Sequence, residues 1–291
     1  MKWHLLFPLI SSLLYVAGVM LIKRASTTDI GVWRTTFISN VLTAAVFLAL
    51  LPLGGHTWQW TWLWQPLVVA LLFIGGQTLT FLALQHGDVS VATPALGSKT
   101  IFVAWFSTIV LGATLPWQLW LAAFLTFMAI VFLNSSKHFA SHPWRTIVVA
   151  ICSAACYAWF DILVQKWSPI WGVGYFLPIM FGFAAFLSCA FLPFIHGRLL
   201  DVPKQARLWL FGGTAVMALQ ALFLITTVAI FGDATAVNVV YSARGLWSVV
   251  AVWSIGHWFG SQEQHLGRSV LRLRFLGAAL MTTAILIALT R

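Results

Sequence analysis

Two basic residues at matched places in the chain carry most of the chemical information in this sequence. Lys99 lies eleven residues after Asp88 in GDVSVATPALGSK, and Arg244 lies eleven residues after Asp233 in GDATAVNVVYSAR. A Gly can close one helix in the left-handed conformation, and an Asp can cap the start of the next. Each string reads as a tight turn into an apolar helix that holds one cation about 16 Å along its axis. That depth is near the middle of a hydrocarbon layer ~30 Å thick. A cation there costs roughly 2.5–3.5 kcal/mol on insertion scales, and its side chain is too short to reach either surface. Lys99 and Arg244 must therefore face a wet cavity or an anionic partner.

Native anions are scarce, with 6 Asp and Glu against 16 Lys and Arg. Asp88 and Asp233 are placed as helix caps and Glu263 lies in a loop, so Asp161 is the one carboxylate expected deep in an apolar run, some five residues from its end. Either Asp161 pairs with one cation as a structural ion pair, or both cations meet substrate. In both cases a cation is left for an anion arriving from outside, a carboxylate or phosphate, with Arg suited to planar bidentate contact.

The neighbours of the cations add polar candidates. Tyr241, Arg244 and Ser248 share a helix face by their spacing, with Asn238 one turn from Tyr241. Gln77 and Gln220 are single deep amides in the third and eighth runs, suited to ligand contact or to bonding between helices. Pro94 and Gly97 precede Lys99, where Pro can open a helix. Pro169, Gly172, Gly174 and Pro178 mark the seventh run as one that can break.

Other signals are weaker. His196 and Asp201 in IHGRLLD have the H-x4-D spacing of membrane acyltransferases without a partner motif. Cys152 and Cys156 share a helix face and read as buried structural thiols, because no His pair completes a metal site. GHWFG at 256–260 reads as a helix-packing motif, and His86 beside Asp88 is a candidate proton relay. No Walker loop is present, and no cofactor or metal is indicated.

The elements that must position these residues follow from composition. Hydrophobic residues make up 61% and charged residues 8% of the 291 positions, and the mean hydropathy is +0.94. Soluble domains are about 25% charged, and disorder needs low hydrophobicity. Three Cys make no disulfide framework. Ten apolar runs, with rough limits 5–22, 33–53, 66–86, 89–112, 117–134, 144–165, 172–196, 207–231, 234–259 and 271–289, each read as long enough to cross a bilayer. Many Trp sit near the ends of runs, as interfacial anchors do. Trp58, Trp60, Trp62 and Trp64 read as a loop lying in the interface.

The net charge of +10 is read as loop basicity facing anionic lipid, not as a nucleic-acid footprint. Lys23, Arg24, Arg34, Lys137, Arg145, Arg198, Lys204, Arg207, Arg268, Arg272 and Arg274 fall on one side, against Lys2, Lys166 and Arg291 on the other. The positive-inside rule makes the first side cytoplasmic and puts both termini outside. Five runs per half is an odd number, so the second half must lie inverted relative to the first. The expected fold is an all-α membrane protein, ten transmembrane helices as two inverted five-helix repeats, residues 1–134 and 143–291. The substrate site is expected near the midplane between them.

FLALQHGDVSVATPALGSK and ITTVAIFGDATAVNVVYSAR, with the ten short-looped runs, resemble the drug/metabolite transporter superfamily, in particular its EamA-like members. The resemblance implies alternating access around a cavity lined by spans 1, 3, 4, 6, 8 and 9. It would place Lys99, Arg244, Tyr241, Asn238, Gln77, Gln220, Asp161, Tyr15 and Tyr157 in or near that cavity. The sequence departs from the family in three ways. The Trp-Gly pair usual in the first span is absent, with Tyr15 to Gly18 nearest to it. No acidic residue follows the fourth span in LGATLPWQ, although Glu263 holds the equivalent region after the ninth. Relatives keep both termini in the cytoplasm, whereas the charges here put them outside.

The expected function is secondary transport of a small anionic or zwitterionic metabolite bound by Lys99 and Arg244. Tyr241, Asn238, Gln77 and Gln220 would orient the substrate. A proton on Asp161 or a counter-substrate would couple the cycle. An organic cation is disfavoured by the sign of the deep charges. A flippase for an anionic lipid headgroup is the alternative, and an intramembrane transferase would need a nucleophile or metal constellation that the chain does not offer. The partners are the substrate and the lipid bilayer, and the expected location is a bacterial plasma membrane.

Overall fold

In lipid a segment must satisfy its own backbone hydrogen bonds, and apolar runs without water to help them become helices. The chain obeys this rule: among the described residues it is helical and holds no strand. The structure, a computed structural model, describes residues 3–26, 28, 30–56, 60–86, 92, 95–133, 143–195, 197, 199, 202–255 and 268–290. Gly87, Asp88, Pro94, His196, Asp201, the 256–260 motif, Glu263, Trp58 and the side chain of His86 lie outside these residues. So do Lys2, Lys137, Arg198 and Arg291.

The α-helices are α1 (Leu6–Ser26), α2 (Val32–Phe47), α3 (Trp64–His86), α4 (Lys99–Leu111), α5 (Trp117–Leu133) and α6 (Pro143–Trp171). They continue as α7 (Val173–Leu187), α8 (Lys204–Phe231), α9 (Ala234–Tyr241), α10 (Arg244–Ile255) and α11 (Arg268–Thr290). Helix thus occupies part of every apolar run. Among the described residues seven helical stretches are long and apolar enough to cross a membrane, while Ala95–Leu111 and Trp117–Leu133 are shorter.

The expected unbroken ninth span is two helices. A turn at Ser242 and Ala243 separates α9 from α10, and Ala243 N–H there bonds to the Val240 carbonyl at 3.1 Å. Ser98 likewise forms a turn immediately before Lys99, its N–H bonding to the Ala95 carbonyl at 3.2 Å. Both bonds span three residues instead of four, which tightens the helix locally. Lys99 and Arg244 therefore each stand just after a turn that interrupts the helix, not in the middle of an unbroken one.

The seventh run does not break at its prolines. Pro169 sits in the last turn of α6, and Pro178 lies inside α7. The interruption falls between them, at Gly172, the first residue of that run and one of the two glycines marked above; its φ of 82° and ψ of 142° are open to glycine alone among common residues. Helix α6 consequently runs on to Trp171, and Asp161 lies ten residues from its end, deeper than the sequence suggests.

Gly31, before α2, adopts the same conformation, with φ 78° and ψ 145°. Both glycines are followed by Val and a helix that tightens into a 3-10 segment containing a Leu-Pro pair. These segments are Leu48–Leu53 with Pro52 and Ser188–Phe194 with Pro193.

Helix α1 packs along α8, α3 along α6, α5 along α11, and α4 against α9. The α1–α8 approach is close because Gly18 faces Met217 and Gly213 faces Ile22, where a β-carbon would collide. Phe47, Phe176, Leu177, Met180 and Phe181 fill the space near α2 and α7 without exposure. Leu13, Ile109, Phe124, Phe186 and Leu208 remain exposed, as lipid-facing side chains must. Cys152 and Cys189 are exposed and Cys156 is half-buried, so the expected buried thiols instead lie on or near the outer faces of their helices. Arg34, expected among the loop charges, lies in the first turn of α2 and is buried. Trp60 and Trp62 form an exposed 3-10 turn, as an interfacial loop requires.

Candidate substrate cavity

A cavity of about 240 Å³ lies among α1, α2, α3, α4, α6, α8, α9 and α10. Its walls include Tyr15, Gln77, Lys99, Tyr157, Asp161, Gln220, Tyr241 and Arg244. Eight of the nine candidate residues thus come together from distant parts of the chain.

Asp161 organises one side. Its Oδ2 accepts a hydrogen bond from Lys99 Nζ at 2.8 Å and another from Asn238 Nδ2 at 2.7 Å. The Lys99 side chain is 16% exposed and that of Asp161 4%, so the pair is nearly dehydrated, with the ammonium on the cavity side. Asn238 itself is not on the wall. It stands behind Asp161, and its Nδ2 also donates to the Ala234 carbonyl at 2.9 Å. Its part is to hold the carboxylate, and the direct substrate contact expected of it gives way to that role.

Arg244 is held differently. Its guanidinium lies 4.7 Å from the Tyr15 ring centre and 4.6 Å from that of Tyr241, and Nη1 donates to the Tyr241 hydroxyl at 3.1 Å. The two rings meet edge-on at 6.0 Å. No carboxylate pairs with Arg244 among the described residues. Aromatic faces attract a cation without cancelling its charge, so the guanidinium keeps an unspent positive charge at the wall.

Amides and hydroxyls make up the remaining polar surface. Asn40 and Gln77 exchange reciprocal hydrogen bonds at 3.0 and 3.2 Å, tying α2 to α3. Gln220 Nε2 donates to Ser11 Oγ at 2.9 Å, and that hydroxyl donates to the Gln220 carbonyl. Both glutamines therefore join helices and line the cavity at once. Thr80 Oγ1 reaches Ser153 Oγ at 2.7 Å, and Ser153 in turn donates to the Gly76 carbonyl. Tyr157 packs on Gly76, with Lys99 Nζ 5.7 Å from its ring centre.

Helix α2 was missing from the expected lining. Ser39, Asn40 and Thr43 bring it to the wall. The available signal is an Asn flanked by Ser and Thr in a run that is otherwise mostly apolar.

Away from the cavity, Asp233 caps α9 by accepting from Ala236 N–H at 3.4 Å, and Gly232 takes the left-handed conformation that ends α8. Gln165 of α6 clasps this turn: its Nε2 donates to the Gly232 carbonyl, and its Oε1 accepts from Ala234 N–H. Among the described residues no cluster of His, Cys, Asp and Glu could hold a metal ion.

Residues 1–135 match the EamA-like transporter family. The match ends just beyond α5, at the close of the first five apolar runs. This is a family of membrane transporters, not of enzymes, and it belongs to the drug/metabolite transporter superfamily. With seven long apolar helices among the described residues, the chain is an integral, multi-pass membrane protein. A solved structure described only as "Crystal structure of protein" shares the fold over 99% of this chain and 98% of its own, with a TM-score of 0.74 at 15% identity. No curated protein matches the sequence.

Proposed function

We propose that the protein is a secondary transporter that moves a small anionic or zwitterionic metabolite by alternating access, with the substrate anion bound at Arg244 and Lys99. The observation that carries this reading is Arg244, a guanidinium on a cavity wall between two aromatic rings with no carboxylate partner among the described residues. An incoming carboxylate supplies the missing charge and accepts the paired N–H donors that a guanidinium presents. Lys99, paired with Asp161, lines the same wall and adds an N–H donor to the anion's surroundings.

Alternating access needs two halves that rock about a shared site, and several features support two inverted five-helix repeats. Gly31 and Gly172 have matching dihedrals at matching helix starts, and both following helices tighten around a Leu-Pro pair. Lys99 and Arg244 each follow a turn. Exchanging the first five apolar runs with the second five maps the α1–α8 packing onto that of α6 and α3, and it maps α5–α11 and α4–α9 onto themselves.

The test is uptake into proteoliposomes with a panel of small carboxylates, phosphates and amino acids, comparing wild type with Arg244→Gln and Lys99→Gln. Substrate-specific uptake that collapses in Arg244→Gln supports the reading. Unchanged uptake in both variants contradicts it.

A further inference from the structure

We infer that the cavity is built for a small monocarboxylate carrying an uncharged hydrogen-bonding group, and that it selects against zwitterions and dicarboxylates. This narrows the cargo of the transporter reading above and rests on it.

The first ground is charge. Among the described residues Lys99, Asp161 and Arg244 are the ionised side chains on the wall, and together they carry one positive charge in excess. One ligand carboxylate cancels it. A zwitterion leaves the excess in place, and a dianion reverses its sign. Uncompensated charge away from water is costly.

The second ground is the lack of a site for a ligand ammonium. Asp161, the one carboxylate on the wall among the described residues, already receives Lys99 and Asn238 on Oδ2. A ligand ammonium could reach Oδ1 alone, and there it would share with Lys99 a single negative charge that the ion pair already neutralises.

The third ground is the neutral wall on α2 and α3. Asn40 and Gln77 spend one N–H and one acceptor site each on one another. Each amide keeps one further N–H and one acceptor lone pair. Thr43 and Thr80 flank them. Such a wall can bind a hydroxyl or an amide, but it has nothing to neutralise an ion. The volume of about 240 Å³ is below the roughly 300–1,000 Å³ of drug-sized sites, which suits a ligand of a few carbons.

A matched panel tests this directly. The compounds 4-hydroxybutyrate, 4-aminobutyrate and succinate share a length and differ in the far group. At pH 7 they carry one negative charge, no net charge and two negative charges. Their three- and five-carbon homologues complete the set. Uptake and mutual competition are measured in proteoliposomes, after size-exclusion chromatography confirms that each variant is folded.

In wild type the hydroxy acid of the best chain length is expected to outcompete its amino and dicarboxylic counterparts by about ten-fold or more, equivalent to at least ~1.4 kcal/mol. Preference should then follow the charge of the site. Asp161→Asn doubles the excess and should shift preference toward the dicarboxylate. The double variant Asn40→Leu with Gln77→Met should erase the advantage of the hydroxy acid over plain butyrate. A merely structural role for these residues would lower all uptake together without reordering the panel.

Arg244-dependent uptake that ranks the amino or dicarboxylic compound equal or first in wild type overturns this inference and leaves the transporter reading standing. A ranking that stays the same in folded Asp161→Asn protein also overturns it. No uptake of any panel member by folded wild-type protein overturns both.

Discussion

Lys99 of α4 and Asp161 of α6 meet at 2.8 Å beside the central cavity, while Arg244 of α10 faces the same space between Tyr15 and Tyr241. The two deep cations are thus unequal. One is neutralised by the protein, and the other keeps its charge for a ligand. The pair also ties the first half of the chain to the second, at the level where the transporter reading places the cargo.

Removing one partner of the ion pair should harm folding more than removing both. Asp161→Leu strands the Lys99 ammonium, and breaking a buried pair this way costs about 3–5 kcal/mol. Lys99→Met combined with Asp161→Leu should recover most of that loss, because neither charge is then desolvated without a partner. Unfolding in detergent checks the comparison. Equal losses in the single and double variants would show that the pair does not hold α4 against α6.

The aromatic box around Arg244 should divide by function. Tyr241→Phe keeps the ring at 4.6 Å but removes the 3.1 Å hydrogen bond. That should cost about 0.5–1.5 kcal/mol, seen as a KM raised by up to roughly ten-fold. Tyr15→Phe should be nearly silent, whereas Tyr15→Leu removes an aromatic face worth about 0.5–2 kcal/mol. Transport kinetics on the four-variant set, with Arg244→Gln as the reference for complete loss, decide the matter.

Gly31 and Gly172 share a backbone conformation but not their surroundings. A β-carbon at Gly31 meets nothing within 4 Å, whereas one at Gly172 comes to 2.4 Å from Gly55 Cα. Gly31→Ala should therefore cost only backbone strain, of order 1–3 kcal/mol. Gly172→Ala adds a collision with main chain that cannot rotate away, and it should reduce the yield of folded protein far more. Expression with fluorescence-detected size exclusion separates the two.

The Asn40–Gln77 pair should show the asymmetry of buried hydrogen bonds. Asn40→Leu alone leaves the Gln77 amide without its partner, at a cost of about 1–3 kcal/mol. Adding Gln77→Met should return part of that stability while leaving transport impaired. Thermal unfolding and uptake measured on the same preparations distinguish stability from substrate contact.

Much of the membrane architecture was legible in the chain because hydrophobic length is a local property. Each apolar run could be read without knowing its neighbours, and a helix lies in each. The glycine and aspartate that end α8 and start α9 were equally legible, since capping depends on adjacent residues. Less local features misled. Pro169, Gly172, Gly174 and Pro178 together suggested a seventh run that can break; both prolines fit into helices, and interruptions came at Gly172, one of those positions, and at Ser242, which nothing in the sequence marked. A proline announces itself in sequence, whereas a turn made by ordinary residues is fixed by the helices packed on either side.

The sequence by itself determined that two cations would be buried among too few anions, because composition and spacing alone set that imbalance. Only the tertiary structure decided which cation Asp161 would neutralise, that Asn238 would stand behind it, and that Asn40 of α2 would reach the wall. Those outcomes depend on which helix faces turn toward one another. Side chains from α4, α6 and α9, far apart in the chain, become neighbours only when packing brings the helices together.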